Sequence, residues 1–262
     1  MKRIYITFSG SAYDPTTARI VADAPRFGVD EVRVYDDHWL VEQEFYAENI
    51  WLWSTPRDRV PPHHGYPRGF GWFCWKPYVI MHALEHSDPG DIILYTDADT
   101  YPIQPLGVLF DECERIGGMM LFEAMGCPHN EWCKRDCFIV MGQDEERWRN
   151  VPHAVARFML FKNGPWRNRQ FLMEWLAYCL NPLAQTFEPS VILPEYPGLA
   201  EHRTEQAIFT NLAHKYGAKL YREACQYGNS SMTGQDLYPQ LFVQEGCARE
   251  RTLNGSRYRN IA

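Results

Sequence analysis

The sequence predicts an α/β fold: a mixed, mostly parallel central sheet flanked by helices. Three observations carry that reading. The chain opens strand–helix–strand within its first 37 residues, which implies a parallel pair. Apolar runs of strand length then alternate with segments of helical period. One of those runs, "GDIILYTDADTYP" (90–102), ends in two carboxylates one residue apart. Ligands gather at the C-terminal ends of parallel strands.

Along the chain, "RIYITFSG" (3–10) reads as a buried first strand ending in small residues, "TTARIVADAPRFG" (16–28) as a short helix and "EVRVYDD" (31–37) as a second strand. No G-x-G-x-x-G follows the first strand, so the dinucleotide fingerprint is missing. Residues 54–71 are rich in Pro, Gly and His and read as a surface loop. "WFCWKPYVIMHALEHS" (72–87) has helical spacing, with Pro77 near its start, where proline is tolerated. "VLFDECERIG" reads as a helix and "DCFIVMG" (136–142) as a strand. "VPHAVARFMLFKNG" and "RNRQFLMEWLAYCLN" read as two amphipathic helices joined by a Gly-Pro turn. "EHRTEQAIFTNLAHKYG" (201–217) is a helix stopped by Gly217, and "AKLYRE" (218–223) is a last short strand. The polar end, 228–262, reads as a lid or a partly disordered segment. With no internal repeat and no clear linker, residues 1–262 form one domain.

Composition narrows the function classes. Hydrophobic residues make up 45% and charged residues 23% of 262, ordinary for a globular enzyme. Aromatics reach 15%, which suits either a thick core or stacking surfaces for sugars and bases. A net charge of −7 argues against a general nucleic-acid binder. No apolar run approaches a membrane span, and "MKRIYITFSG" lacks the apolar core of a signal peptide, so the expectation is cytoplasmic. There the eight cysteines stay thiols. Cys127, His129, Cys133 and Cys137 lie close in sequence but lack the paired C-x2-C knuckles of zinc sites.

The carboxylate pair needs a reason. Side chains alternate along a strand, so Asp97 and Asp99 are expected to point the same way from its end. Like charges that close are tolerated if solvated, if one is protonated, or if a cation sits between them and a ligand. Mg²⁺ or Mn²⁺ held by one or two carboxylates would neutralise a diphosphate. A lone D-x-D is weak evidence for this.

Its surroundings strengthen it. "GFGWFCWKPYVIMHALEHSDPGDIILYTDADTYP" (69–102) resembles the nucleotide-diphospho-sugar transferases of the GT-A fold, a Rossmann-like layout. Their pattern is a helix bearing Arg or Lys, a loop, an apolar strand and D-x-D. It is especially similar to bacterial glycosyltransferases with a G-x-G-x-W-x-W-K-P run. "HRTEQAIFTNL" (202–212) is similar to the H-R-x-D-Q-S-I-L segment of those enzymes and to the D-Q-D-x-L-N segment of the glycogenin and lipopolysaccharide galactosyltransferase group. Glu205 stands where the family usually has Asp; Gln206 matches directly. Together the two matches cover about a sixth of the chain.

The resemblance implies a sugar transfer from a nucleoside-diphosphate sugar, UDP-sugar favoured, to a hydroxyl of a glycan or other acceptor such as a lipopolysaccharide precursor. It puts Asp97 and Asp99 at an Mn²⁺ or Mg²⁺ ion, with Asp97 leaning toward the donor sugar or ribose. Lys76 and Asp136 fall at donor-binding positions, and Lys76, Glu205 and Gln206 at catalytic ones. Thr7, Phe8 and Ser9, with Asp36 or Asp37, are expected near the nucleotide base and ribose. Residues 1–105 would then build the donor half and 106–262 the acceptor half. Gln206 favours retention; a Glu205 that reached the acceptor hydroxyl would give inversion. His202 reads either as a brace for Glu205 or as a satisfied core histidine. Trp72 and Trp75 read as core. Relatives often add a third metal ligand, a C-terminal His, but none follows His214 here, leaving a polar residue such as Asn229 or water.

Rival readings are weaker. A D-x-D-x-T/V phosphatase wants Thr or Val at position 101, which is Tyr101, and usually places the motif on its first strand. A nucleotidyltransferase wants a Gly-rich basic loop after the first strand, and "SGSAYDPTT" has one Gly and no base. A non-catalytic sugar-nucleotide binder shares the fold. Arg249, Arg251, Arg257 and Arg259 suit a solvated tail, or contact with lipid headgroups at the inner membrane face or with nucleic acid. The acidic balance makes nucleic acid the least favoured acceptor.

Overall fold

The computed structural model describes residues 1–10, 14–53 and 70–245. Most of the loop expected at 54–71, and the arginine-rich tail from 246, lie outside them.

Strands β1 (Arg3–Phe8), β2 (Glu31–Tyr35), β3 (Ile92–Asp97), β5 (Met119–Pro128), β6 (Pro152–Lys162) and β7 (Leu220–Tyr221) form one sheet in the order β2-β1-β3-β6-β5-β7. Five run the same way, and β6 is antiparallel to both neighbours. A two-stranded ribbon of β4 (Thr100–Pro102) and β8 (Phe242–Gln244) lies beyond the end of β3.

Strand alternation divides the core between two faces. Ile4, Ile6, Ile93, Tyr95, Met159 and Phe161 pack on one side with α5 (Trp75–Glu85), α9 (Trp166–Cys179) and α11 (Thr204–Lys215). Tyr5, Ile92, Leu94, Phe158 and Leu160 pack on the other with α1 (Asp14–Asp23), α6 (Gly107–Arg115) and the β4–β8 ribbon. Short helices α2 (Asp37–Val41), α3 (Glu44–Glu48) and α4 (Ile50–Trp53) lead away from β2, while α7 (Arg135–Val140), α8 (Glu146–Arg149) and α10 (Pro182–Gln185) cap the opposite half. The three-layer architecture is the predicted α/β class, and a strand from the second half of the chain lies beside β3.

Three local expectations are corrected. "VPHAVARFMLFKNG" is not a helix but the 11-residue strand β6. Lying between β3 and β5, it is buried on both faces and loses the period-2 signal that would mark it. "DCFIVMG" is not a strand but helix α7. Gly142, at φ 68°, ends it: Gln143 N–H bonds to Phe138 O and Gly142 N–H to Ile139 O, satisfying the last carbonyls. The polar end, as far as 245, is tied down by β8 and by a 3₁₀ turn at Gln226–Ser231. Strand β5 corresponds to no predicted element.

Candidate active site

Strand β3 ends at Asp97, and Ala98 and Asp99 form a turn into β4. The two carboxylates therefore do not share a strand face. Asp97 sits in register with Phe8 of β1, and one step along β6 from the Thr96–Phe158 pair places Arg157 in the same row. The row lies at the C-terminal end of the parallel strands.

Lys76 enters this row from the first turn of α5. The preceding chain turns through left-handed Gly71, Trp72 and Phe73 (φ 58°, 47° and 62°). A Cβ on Gly71 would lie 2.1 Å from the Trp53 ring, so this turn requires glycine. Trp75 is then buried against Phe8, their rings stacked at 3.9 Å. Next to it, the Lys76 side chain is sealed in the interior, the residue only 4% exposed.

The ammonium is fully used. Lys76 Nζ lies 3.0 Å from Asp97 Oδ1 and 3.2 Å from Glu205 Oε1, and donates to Ala156 O at 3.1 Å. Burial works against its charge, but Asp97 and Glu205 outweigh it and hold its pKa above the ordinary lysine value. Glu205, 3% exposed, also accepts from the Thr204 hydroxyl at 2.7 Å. Burial pushes the Glu205 pKa up, and Lys76 and Thr204 offset only part of that. Thr204 starts α11 at φ 44°, a left-handed value uncommon for threonine, and Trp175 Nε1 donates to the Glu205 carbonyl at 2.9 Å. The start of α11 is thus fixed from both sides.

Asp97 Oδ1 also accepts from Tyr95 OH at 2.7 Å. Asp99 has a different environment: Thr100 Oγ1 donates to its Oδ1 at 2.8 Å and Gln244 Nε2 to its Oδ2 at 2.9 Å. Burial and the Asp97 charge raise the Asp99 pKa, with Gln244, Arg157 and Thr100 opposing.

The donor set suits a hard divalent cation. Two carboxylates offer oxygen ligands, and a cation would relieve the repulsion that raises Asp99. Among the described residues no group of three or more His, Cys, Asp or Glu converges on a metal position. Mg²⁺-type ions are commonly held by one or two carboxylates completed by phosphates and water.

A scan against protein-family models finds no match, and a search of curated proteins finds none. Solved structures do match. Mouse xyloside xylosyltransferase 1 in its apo form is 11% identical over 94% of this chain and 98% of that one, with a TM-score of 0.46. The apo-form glycosyltransferase GlyE of Streptococcus pneumoniae TIGR4 is 12% identical over 93% of this chain and 54% of that one, TM-score 0.44. An active-site mutant of LgtC is 14% identical over 97% and 95%, TM-score 0.44. The first two are a xylosyltransferase and a glycosyltransferase by name, and LgtC is a galactosyltransferase. No helix among the described residues is long and apolar enough to cross a membrane.

Of the residues singled out from sequence, Phe8, Lys76, Asp97, Asp99, Glu205 and Gln206 converge on this end of the sheet. Gln206 Nε2 donates to Ala154 O at 3.0 Å. Thr7 is buried, its hydroxyl without a hydrogen-bond partner among the described residues, and Ser9 Oγ pairs with Thr17 Oγ1 at 2.6 Å. Asp136 is employed elsewhere: fully buried in α7, it accepts from Val191 N at 2.8 Å and Ile192 N at 3.0 Å, clamping the 190–192 loop. Asp36 caps α2 through Trp39 N. His202 behaves as a core histidine, accepting from Lys134 N at Nδ1 and donating from Nε2 to Ala184 O at 2.7 Å. Asn229 is exposed and pairs with Gln240. Trp72 and Trp75 are both buried. Arg157 and Gln244 were missed. Arg157 is a single charge inside the apolar run "HAVARFMLF", a signal obscured once that run is read as a helix.

Proposed function

We propose that this chain is a glycosyltransferase that moves a sugar from a nucleoside-diphosphate sugar, UDP-sugar favoured, to a hydroxyl acceptor with Mn²⁺ or Mg²⁺ assisting. The observation that carries this reading is the Asp97–Lys76–Glu205 bridge. It joins two segments more than a hundred residues apart that were singled out independently as donor-site motifs.

The side chains suggest a division of roles. Asp97 and Asp99 would hold the cation, which when bound would neutralise the diphosphate as it leaves. Lys76 has three acceptors already, so it orders Asp97 and Glu205 rather than pairing with a phosphate. Glu205 is hydrogen-bonded or ion-paired on both oxygens and is poorly placed to deprotonate an acceptor. The Gln206 amide oxygen has no hydrogen-bond partner among the described residues and is too weak a base for that task. Lacking a free base at Glu205 or Gln206, the arrangement favours retention over inversion. Phe8, stacked on Trp75, would border the nucleotide.

The decisive experiment is a thermal-shift screen of UDP-, GDP-, CDP- and TDP-sugars with and without Mn²⁺, since a ligand of the native state raises the melting temperature by mass action. One nucleotide is expected to stabilise the protein in a Mn²⁺-dependent way. Asp99→Ala should abolish that dependence together with donor hydrolysis. No shift with any donor would refute the reading. Proton NMR of the product's anomeric centre tests retention.

A further inference from the structure

Two guanidinium groups at this site have far more donors than acceptors. Arg157 projects from β6 in the row of Asp97, and Arg203 immediately precedes α11, two residues before Glu205. Both are half-buried. Arg157 Nη1 donates to Gln244 Oε1, the same amide that donates to Asp99, and its guanidinium lies 5.3 Å from the Tyr227 ring centroid. The Arg203 guanidinium stacks 4.3 Å over Trp132, and Glu201 approaches its Nε only to 3.8 Å. Glu223 acts on Arg157 electrostatically without forming an ion pair. Among the described residues, neither guanidinium receives a carboxylate at hydrogen-bonding distance, although each carries five N–H donors.

Several other enclosed cations among the described residues are provided for; Arg149 is not, its Nε buried without a hydrogen-bond partner while its guanidinium lies over the Tyr196 ring. Lys76 has three acceptors, Arg135 pairs with Asp144, and Arg222 bonds to the carbonyls of Glu223 and Tyr238. The Arg157–Arg203 pair instead adds like charge to like: burial, then Arg157 among the nearby charges, lowers the Arg203 pKa. Cation–π contact with Trp132 and, at longer range, with Tyr227 leaves the N–H edges of the guanidinium groups, whose fork geometry matches a planar or tetrahedral oxyanion.

We propose that Arg157 and Arg203 form a cradle for an oxyanion, a phosphate or carboxylate group, of the substrate held in this cleft. The naming of its two possible sources, a donor diphosphate or an acidic acceptor, rests on the glycosyltransferase reading. The cradle itself rests on the two arginines.

Calorimetric titration of wild type, Arg157→Gln and Arg203→Gln with UDP, uridine, inorganic phosphate and glucuronate, Mn²⁺ present, tests it. If the diphosphate is the source, both variants weaken UDP about tenfold or more and leave uridine unchanged. If the acceptor is the source, UDP-saturated wild type binds phosphate or glucuronate, and the variants lose that binding by a similar factor while UDP binding persists. Variants that bind every probe as wild type does overturn the cradle. A wild type that binds no nucleotide sinks the glycosyltransferase reading, while phosphate and glucuronate alone still decide the cradle. Should a variant not fold, phenylglyoxal labelling of wild type decides. The peptides holding Arg157 and Arg203 should label several-fold more slowly with bound probe, and unchanged labelling of both overturns the proposal.

Discussion

Replacing Lys76 by methionine keeps the volume of the stem and removes the charge between Asp97 and Glu205. At an effective dielectric of about 20, charges at these separations attract by about 5 kcal/mol each. Most of that offsets the cost of holding Lys76 and Glu205 away from water, Asp97 being about a third exposed and better screened, so the net loss follows from what is left behind. Breaking one side of a buried pair typically costs about 3–5 kcal/mol. Glu205 can limit its share by taking up a proton. From an ordinary pKa of about 4.3, forced protonation costs about 3.7 kcal/mol at pH 7 and about 1 kcal/mol at pH 5. The sign is clear: in the variant the folded pKa is raised, so the folded state holds a proton that the unfolded state releases above pH 4–5, and stability falls as pH rises. Urea unfolding of Lys76→Met should therefore show a deficit of about 4 kcal/mol at pH 7 that shrinks by up to about 2.6 kcal/mol at pH 5, less the smaller change of the wild type, whose Glu205 pKa is itself raised. At pH 7 the melting temperature should drop by about 10 °C. Adding Glu205→Gln should restore much of the loss by removing the stranded charge. A Lys76→Met variant within 1 kcal/mol of wild type at both pH values would refute the claim that Lys76 neutralises this pair.

Further predictions concern groups that sequence reading left aside or placed differently. His129 and His153 are fully enclosed, with Nδ1 atoms 2.9 Å apart; burial lowers the His129 pKa to about 3 and drives that of His153 well down. Unfolding lets both bind protons below about 6.5, so stability should fall by up to about 4 kcal/mol between pH 7 and pH 5, before most carboxylates titrate. Urea midpoints measure this, and a flat profile would contradict it. Asp136→Ala removes the acceptor for two backbone N–H groups and should cost about 3 kcal/mol while leaving UDP titrations unchanged. A selective loss of UDP affinity without destabilisation would return Asp136 to the donor site. Gly71→Ala should destabilise by about 2 kcal/mol or more, because it combines a left-handed backbone with a Cβ pressed into Trp53. An unchanged melting temperature would show that the turn can relax.

The parts of the fold legible in the sequence were those whose signal is local. β1, β2 and β3 are bounded by turn residues, α5 and α11 carry a helical period, and Gly217 stops α11 in a left-handed conformation. β6 was not legible because a central strand flanked on both sides presents an apolar run, and such a run has no period of its own. α7 failed for the converse reason, six residues being too few for a period to show. Within the site, the carboxylate turn and Lys76 could be named from their place around one strand, but not their contacts. That Lys76 is interior rather than a surface lysine depends on Glu205, supplied by a helix about 130 residues later. The contacts of Asp136 were not legible because its partners, the amides of 191 and 192, are backbone groups that no side-chain pattern announces.

Those contacts also divide the two aspartates, which the D-x-D spelling treats alike. Asp97 is matched by a fixed internal cation, and Tyr95 donates to the same carboxylate oxygen that faces Lys76. Among the described residues Asp99 is met only by neutral donors at hydrogen-bonding distance, with Arg157 acting through the Gln244 amide, and its pKa rises because burial and Asp97 are not fully compensated. On the proposed reading, a cation arriving from solvent would gain most at Asp99, in competition with protons there. Metal-assisted binding of the proposed donor should accordingly weaken as pH falls toward the raised Asp99 pKa. On the proposed reading Asp97, with its charge already balanced by Lys76, would be the weaker of the two ligands, and its charge adds to the repulsion that a metal ion at Asp99 would relieve.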